Sequence, residues 1–160
     1  SKLGPLPVEI DAIAIAPYFG HSVTAEAKAS GIDAVLSQCE AEIDKNRADV
    51  AQWRAICERF KLRLVAYEGG QHLQATWQEQ SNQTLVELLI DCNRHPRMGQ
   101  LYKKYLAAWD HDTDKALMCL FNSVYPPGKA GSWGLLEYEG QPPATAPKWA
   151  ATMEHMGLAP

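Results

Sequence analysis

Leu62-Arg63-Leu64-Val65-Ala66-Tyr67-Glu68-Gly69-Gly70-Gln71-His72-Leu73 begins as a short apolar run and ends as a cluster of polar groups. Leu62 to Tyr67 has the length and character of a buried strand. The run stops on a carboxylate, Glu68, followed by two glycines, an amide and an imidazole. In a parallel sheet backed by helices, strand interiors are apolar and the residues just beyond the carboxyl ends face the ligand. Glu68 occupies that position. Gly69 and Gly70 permit positive φ and close backbone approach, so the chain can turn sharply and aim Gln71 and His72 at the same mouth. A plainer reading has Glu68 capping the next segment and the glycines only making a turn. Three polar groups gathered where a strand stops favour the ligand-facing reading.

Upstream, Ile10 to Ala16 is nearly continuous in apolar character and reads as a first strand covered on both faces. Pro17-Tyr18-Phe19-Gly20-His21-Ser22 follows and again sets an aromatic hydroxyl, with an imidazole nearby, past a strand end. Tyr18 has two open roles: facing a ligand, or packing its ring while the hydroxyl finds a backbone partner. Thr24 to Ser30 forms a short helical turn, and Asp33 starts a helix running to Phe60. Leu36, Cys39, Ile43, Val50, Trp53, Cys57 and Phe60 make its apolar stripe, and Glu40, Glu42, Asp44, Lys45, Arg47 and Asp49 its wet face. A break near Asn46 fits so long a helix, and Trp53 reads as core.

Downstream, Gln74 to Gln83 is a polar loop carrying Trp77, long enough to serve a function. A helix from Thr84 through Cys92 is interrupted before Pro96, where helix is disfavoured in the preceding residue. A second helix spans Met98 to Trp109, and His95 and Arg97 read as polar surface at the junction. Asp110-His111-Asp112-Thr113-Asp114 reads as a turn, and successive turn positions rarely converge on one metal ion. Ala116 to Phe121 is the third strand, ending at Asn122-Ser123. A loop rich in Pro and Gly then delivers Trp133 between Gly131 and Gly134. An indole held above a strand end suits stacking on the apolar face of a pyranose, while folding over the core edge is the competing reading. Pro147-Lys148-Trp149 opens a last helix that ends near His155-Met156.

The chain has 160 residues, 46% apolar and 21% charged, which is one globular domain with its own core. With a net charge of −4 and no basic cluster, nucleic acid is not an expected partner. Its apolar runs fall short of a membrane span, so no membrane partner is expected either. Cys39, Cys57, Cys92 and Cys119 lack metal-type spacing and sit in apolar patterns, as small buried hydrophobes. No metal and no cofactor is called for. Gly4-Pro5-Leu6-Pro7 reads as an extended lead-in, and the opening Ser1-Lys2-Leu3-Gly4 as the interior of a longer protein.

Strand, helix, strand, helices, strand, helix is a βα repeat and calls for parallel strands with right-handed crossovers. The expected fold class is therefore α/β, with three βα units in one domain over residues 1–160. Three strands do not close a barrel, so the expectation is an open three-layer sheet or the carboxy-terminal part of a TIM-type (β/α)8 barrel, a half-barrel cut from a longer protein. Either way Tyr18, Glu68, His72, Asn122 and Trp133 converge on one rim. The exposed edges and helix faces of such a half predict a homodimer.

Ala16-Pro17-Tyr18-Phe19-Gly20, Val65 to His72 and Gly131 to Glu137, with His95 to Tyr102 and Pro147-Lys148-Trp149, together resemble the carboxy-terminal half of a bacterial (β/α)8 family. That family is similar to the clan-A glycoside hydrolases, and its members are often described only as cellulose-binding. The resemblance implies an oligo- or polysaccharide partner, and a secreted or extracellular parent if that parent degrades polysaccharide. It matches Glu68 to the catalytic nucleophile, Tyr18 to the tyrosine that orients it and Trp133 to the sugar platform; it gives His72 and Asn122 no fixed role, and these two with Gln71 are expected to bind substrate from their place past the strand ends. The family's acid/base glutamate follows an earlier strand that this chain does not contain. Retaining hydrolysis needs two carboxyl groups ~5 Å apart, and Glu137 is the local candidate, against Glu139 and Asp11. The implied function is a glycoside hydrolase-like module acting on or binding polysaccharide, with this chain alone inactive; the alternative is a non-catalytic carbohydrate-binding or structural module.

Overall fold

The computed structural model describes residues 10–159, so the lead-in at Gly4 to Pro7 lies outside the described residues. The order of elements is β1 (Ala12–Ile15), α1 (Ala25–Ser30), α2 (Ile32–Phe60), β2 (Arg63–Ala66), α3 (Gln83–Arg94), α4 (Pro96–Thr113), a 3-10 turn (Pro143–Thr145) and α5 (Pro147–His155). Helices dominate. β1 and β2 pair in parallel and in register, Ile13 with Leu64 and Ile15 with Ala66, as a two-stranded sheet.

This corrects the expected three βα units and the half-barrel. Ala116 to Phe121 forms no strand; it meets β2 only in an isolated bridge between Ala66 and Met118. Ala66 N donates to Leu117 O at 2.9 Å and Cys119 N to Ala66 O at 3.0 Å, after which the next bond in line is Phe121 N to Gly69 O. The segment arrives through two left-handed residues, Asp114 and Lys115, and reaches β2 where β2 is ending, so no ladder develops. Its alternate residues Leu117, Cys119 and Phe121 are exposed, and Cys119 is therefore not the buried hydrophobe its apolar surroundings suggest. Nor is the sheet covered on both faces. Ile13, Ile15, Leu64 and Ala66 pack with Val50 and Cys57 of α2 and Trp109 of α4, whereas Ala14 and Tyr67 on the other face are exposed.

The helices hold the larger core. Leu36, Cys39 and Ile43 of α2 meet Leu89 and Cys92 of α3 and Met98, Leu101, Tyr102 and Tyr105 of α4, with Phe19 and Leu73 from the loops after the strands. α2 runs unbroken for 29 residues, with no interruption at Asn46, and Val35, Leu36, Cys39, Ile43, Val50 and Cys57 are its buried apolar positions. It ends on Lys61, in the left-handed conformation, whose N–H reaches back to carbonyls of the last turn. Asn82 caps α3 through its side chain at Leu85 N, and His95 caps α4 ahead of Pro96 at the first helical position. The Asp/His run does not form a turn: α4 continues to Thr113, and Asp112 and Asp114 are held by Arg47 and Arg54 of α2, each at 2.7 Å.

Candidate functional site

The residues beyond the two strand ends meet. Tyr67 N donates to Ile15 O at 3.1 Å and keeps the chains together one step past the sheet. Next come Glu68 on one side and Tyr18 on the other, and the Tyr18 hydroxyl donates to Glu68 Oε2 at 3.2 Å. Both side chains are half-buried. Burial first, then the neighbouring Glu68 carboxylate, push the Tyr18 phenol well above the ordinary tyrosine range, so it stays a proton donor. On the loop side, Asn46 of α2 donates to Tyr18 O at 2.7 Å and fixes the start of the turn.

The glycine pair works through close approach. A Cβ on Gly69 would stand 2.5 Å from the Tyr105 hydroxyl, and Gly70, at φ +128, passes the Tyr102 hydroxyl at a distance that leaves no room for one. Gly70 N and Gln71 N donate to these two hydroxyls, at 3.3 and 3.2 Å. The backbone then runs alongside Phe19: Phe19 N donates to Gly70 O and His72 N to Phe19 O. Along such an extended segment successive side chains point to opposite sides, so Gln71 and His72 cannot share one mouth. His72 faces the site, its ring 5.4 Å from that of Tyr18 and 5.0 Å from that of Trp133. Gln71 turns inward. It is buried, donates to Ser132 O at 2.8 Å and accepts from Leu73 N at 2.7 Å. The expected substrate-binding role of Gln71 is thus corrected: both ends of its amide are spent inside the protein.

Trp133 reaches the same place from the far loop. Its ring lies against the Cα of Gly131, where a Cβ would come within 2.7 Å of the indole, and its Nε1 donates to Ala130 O at 2.8 Å. Tyr18, His72 and Phe121 stand edgewise to it, with centroids 6.1, 5.0 and 5.9 Å away. Beneath it, the Ser132 carbonyl accepts from Gln71 and from Lys148, at 2.8 and 2.5 Å. Asn122 is tied by its backbone, N to Trp133 O and O from Leu135 N. Its Oδ1 is buried with no partner among the described residues. Burial lowers the His72 imidazole below its usual value, which favours the neutral ring, able to donate and accept at once.

Glu137 has a different fate. Arg94 holds it in a two-point ion pair at 2.7 and 2.8 Å, which keeps the carboxylate below its usual range and occupies both its oxygens. It is not free to act as the second carboxyl. Trp77 lies fully out on its loop, 84% exposed.

Two features escaped the sequence reading. Glu42, assigned to the wet face of α2, is buried and accepts from Gly20 N at 2.9 Å, Ser22 N at 3.3 Å and Ser22 Oγ, and pairs with the His21 ring. Its spacing, three residues after Cys39 and beside Ile43, places it at the margin of the buried stripe. Trp53, assigned to the core, is 41% exposed, because among the described residues the sheet ends at β1 and no further strand lies over the helix there. Comparison with protein-family models, curated proteins and solved structures yields no match to this chain.

Proposed function

We propose that the rim beyond β1 and β2 is a saccharide site of glycoside hydrolase type, in which Glu68 is the nucleophile. The observation that carries this reading is the Tyr18–Glu68 hydrogen bond set among the rings of His72 and Trp133. A carboxylate that accepts from a phenol is held in one orientation, with its second oxygen left for the ligand. Its free oxygen attacks the anomeric carbon, the bond to the leaving oxygen breaks, and a glycosyl ester on Glu68 results. Trp133 stacks the sugar ring and neutral His72 binds a hydroxyl. With Glu137 held by Arg94, this chain supplies the nucleophile half of the chemistry, and protonation of an ordinary leaving group falls to a carboxyl outside the constellation.

The test uses a leaving group that departs without a proton. A panel of 2,4-dinitrophenyl 2-deoxy-2-fluoro-glycosides is incubated with the chain, and the intact mass and peptide map are read. The expected outcome is one glycosyl adduct, on Glu68, absent from Glu68→Gln. An adduct elsewhere, or none, overturns the nucleophile assignment. The occupied Glu137 favours a second reading, a non-catalytic binding module. It predicts no adduct but a saturable tryptophan-fluorescence change with oligosaccharide, lost in Trp133→Ala and kept in Glu68→Gln.

A further inference from the structure

A groove of about 400 Å³ lies along the edge of β1 that has no partner strand among the described residues, adjoining the Glu68 constellation at Tyr18. That volume falls in the ~300–1,000 Å³ range of small-molecule sites. Tyr18, His21, Asp49, Trp53 and Tyr67 line it above a floor that includes Ala14. Asp49 and Trp53 are one turn apart on α2 and so share a face.

The polar atoms here are unspent. Among the described residues the Asp49 carboxylate, the Trp53 indole N–H and the Tyr67 hydroxyl make no hydrogen bond or ion pair, whereas comparable side chains further along α2 and α4 are paired. His21 is prearranged. Its Nδ1 is held by Glu42, which is only 7% exposed and also takes the N–H groups of Gly20 and Ser22. Burying a carboxylate to fix one exposed imidazole costs desolvation, and what it secures is a ring with a set orientation at the groove. No lysine or arginine lines the groove, which argues against an anionic ligand. A half-exposed indole beside a free carboxylate and an oriented imidazole suits a neutral, polyhydroxylated ring: apolar face on the indole, hydroxyl groups on the acid and the imidazole.

We propose that this groove is a second saccharide subsite, continuous with the Glu68 site through Tyr18, whose ring lines the groove and whose hydroxyl bonds Glu68. It rests on the saccharide reading of the rim and extends it: the ligand is a chain of several sugars, with Trp133 holding one unit and Trp53 another.

Cello-, xylo- and manno-oligosaccharides of two to six units are titrated calorimetrically into the wild type, Trp53→Ala, Asp49→Asn and Trp133→Ala. Both groove residues are well exposed, so these variants keep the fold, which circular dichroism checks. The expected result is a hexamer bound about tenfold more weakly by Trp53→Ala and several-fold more weakly by Asp49→Asn, with disaccharide affinity unchanged. Trp133→Ala weakens every length. Equal hexamer affinity in the wild type and both groove variants overturns the subsite and leaves the Glu68 reading standing. Wild type that binds no oligosaccharide of any length overturns both. A Trp53→Ala variant that changes sedimentation but not hexamer affinity makes the groove an interface between copies and likewise overturns the proposal.

Discussion

At the scale of single residues, the difference between Gln71 and His72 shows how neighbouring side chains part company. Both follow a glycine pair, and both have the chemistry to meet a ligand. The strand-like pairing with Phe19 sends one to the rim and the other to the interior, where it links the Ser132 carbonyl to the Leu73 N–H. Removing a buried group with two such bonds leaves unsatisfied partners at ~1–3 kcal/mol each. Gln71→Ala is therefore expected to lower stability by about 2–4 kcal/mol, read as a shift of the urea midpoint at constant m; a shift below the error of the fit would contradict the buried arrangement. The thiols make a second residue-scale case. Burial pushes Cys39 and Cys92 up to about 12 and raises Cys57 as well, so at pH 8 these three are protonated as well as buried. Cys119 alone is exposed. One thiol per chain should react within seconds with an aromatic disulfide reagent, and the other three only on adding denaturant. Four fast thiols would refute this.

At the scale of elements, the sequence period found the helices and misjudged what lies over them. Every helix core expected from spacing is present, from the cap at Thr24 to the end at His155. Strand content was overestimated because a continuous apolar run such as Ala116 to Phe121 reads alike whether it pairs along its length or touches a neighbour once. The junction of α4 with α5 makes a sharp test of packing. Gly99 on α4 lies against Pro147 at the start of α5, and a Cβ there would stand 2.8 Å from the Pro147 carbonyl oxygen. Backbone must move to admit it. Gly99→Ala is expected to destabilise by about 1–3 kcal/mol despite better helix propensity, measured by thermal unfolding. An unchanged or raised melting point would show that the helices separate freely.

At the scale of the whole molecule, buried titratable groups set the response to pH. Lys148, enclosed near Asn93 and Ser132, is pushed down to about 7 by burial, against ~10.4 in an unfolded chain. Between those values the unfolded chain holds a proton that the folded one lacks, so stability rises with pH there, by at most about 1.4 kcal/mol per unit. Burial raises Tyr102 and Tyr105; above about pH 10 the unfolded chain loses protons that the folded one keeps, and stability falls again. A maximum near pH 10 is expected in urea unfolding, with the rise between pH 7 and 10 flattened in Lys148→Met. A wild-type profile flat over that window would refute it. At the opposite end of the sheet from Glu68, Ile10, Ile56 and Phe60 are 53, 41 and 61% exposed. Self-association at micromolar concentration is expected by sedimentation, reduced in Phe60→Ser; a monomeric wild type would contradict it.

What the residues dictated unaided was local. Helical spacing, the ends of the apolar runs and the types of polar group beyond them follow from periods and propensities that need no distant partner. The meeting of Tyr18 with Glu68, fifty positions apart, rests on a parallel pairing that apolar pattern already implied. Tertiary structure alone decided the width of the sheet, the burial of Gln71 and Glu42, the exposure of Trp53 and the capture of Glu137 by Arg94. Each depends on which neighbour is present in space, and a one-dimensional period records the face a side chain takes on its own element but not what stands opposite.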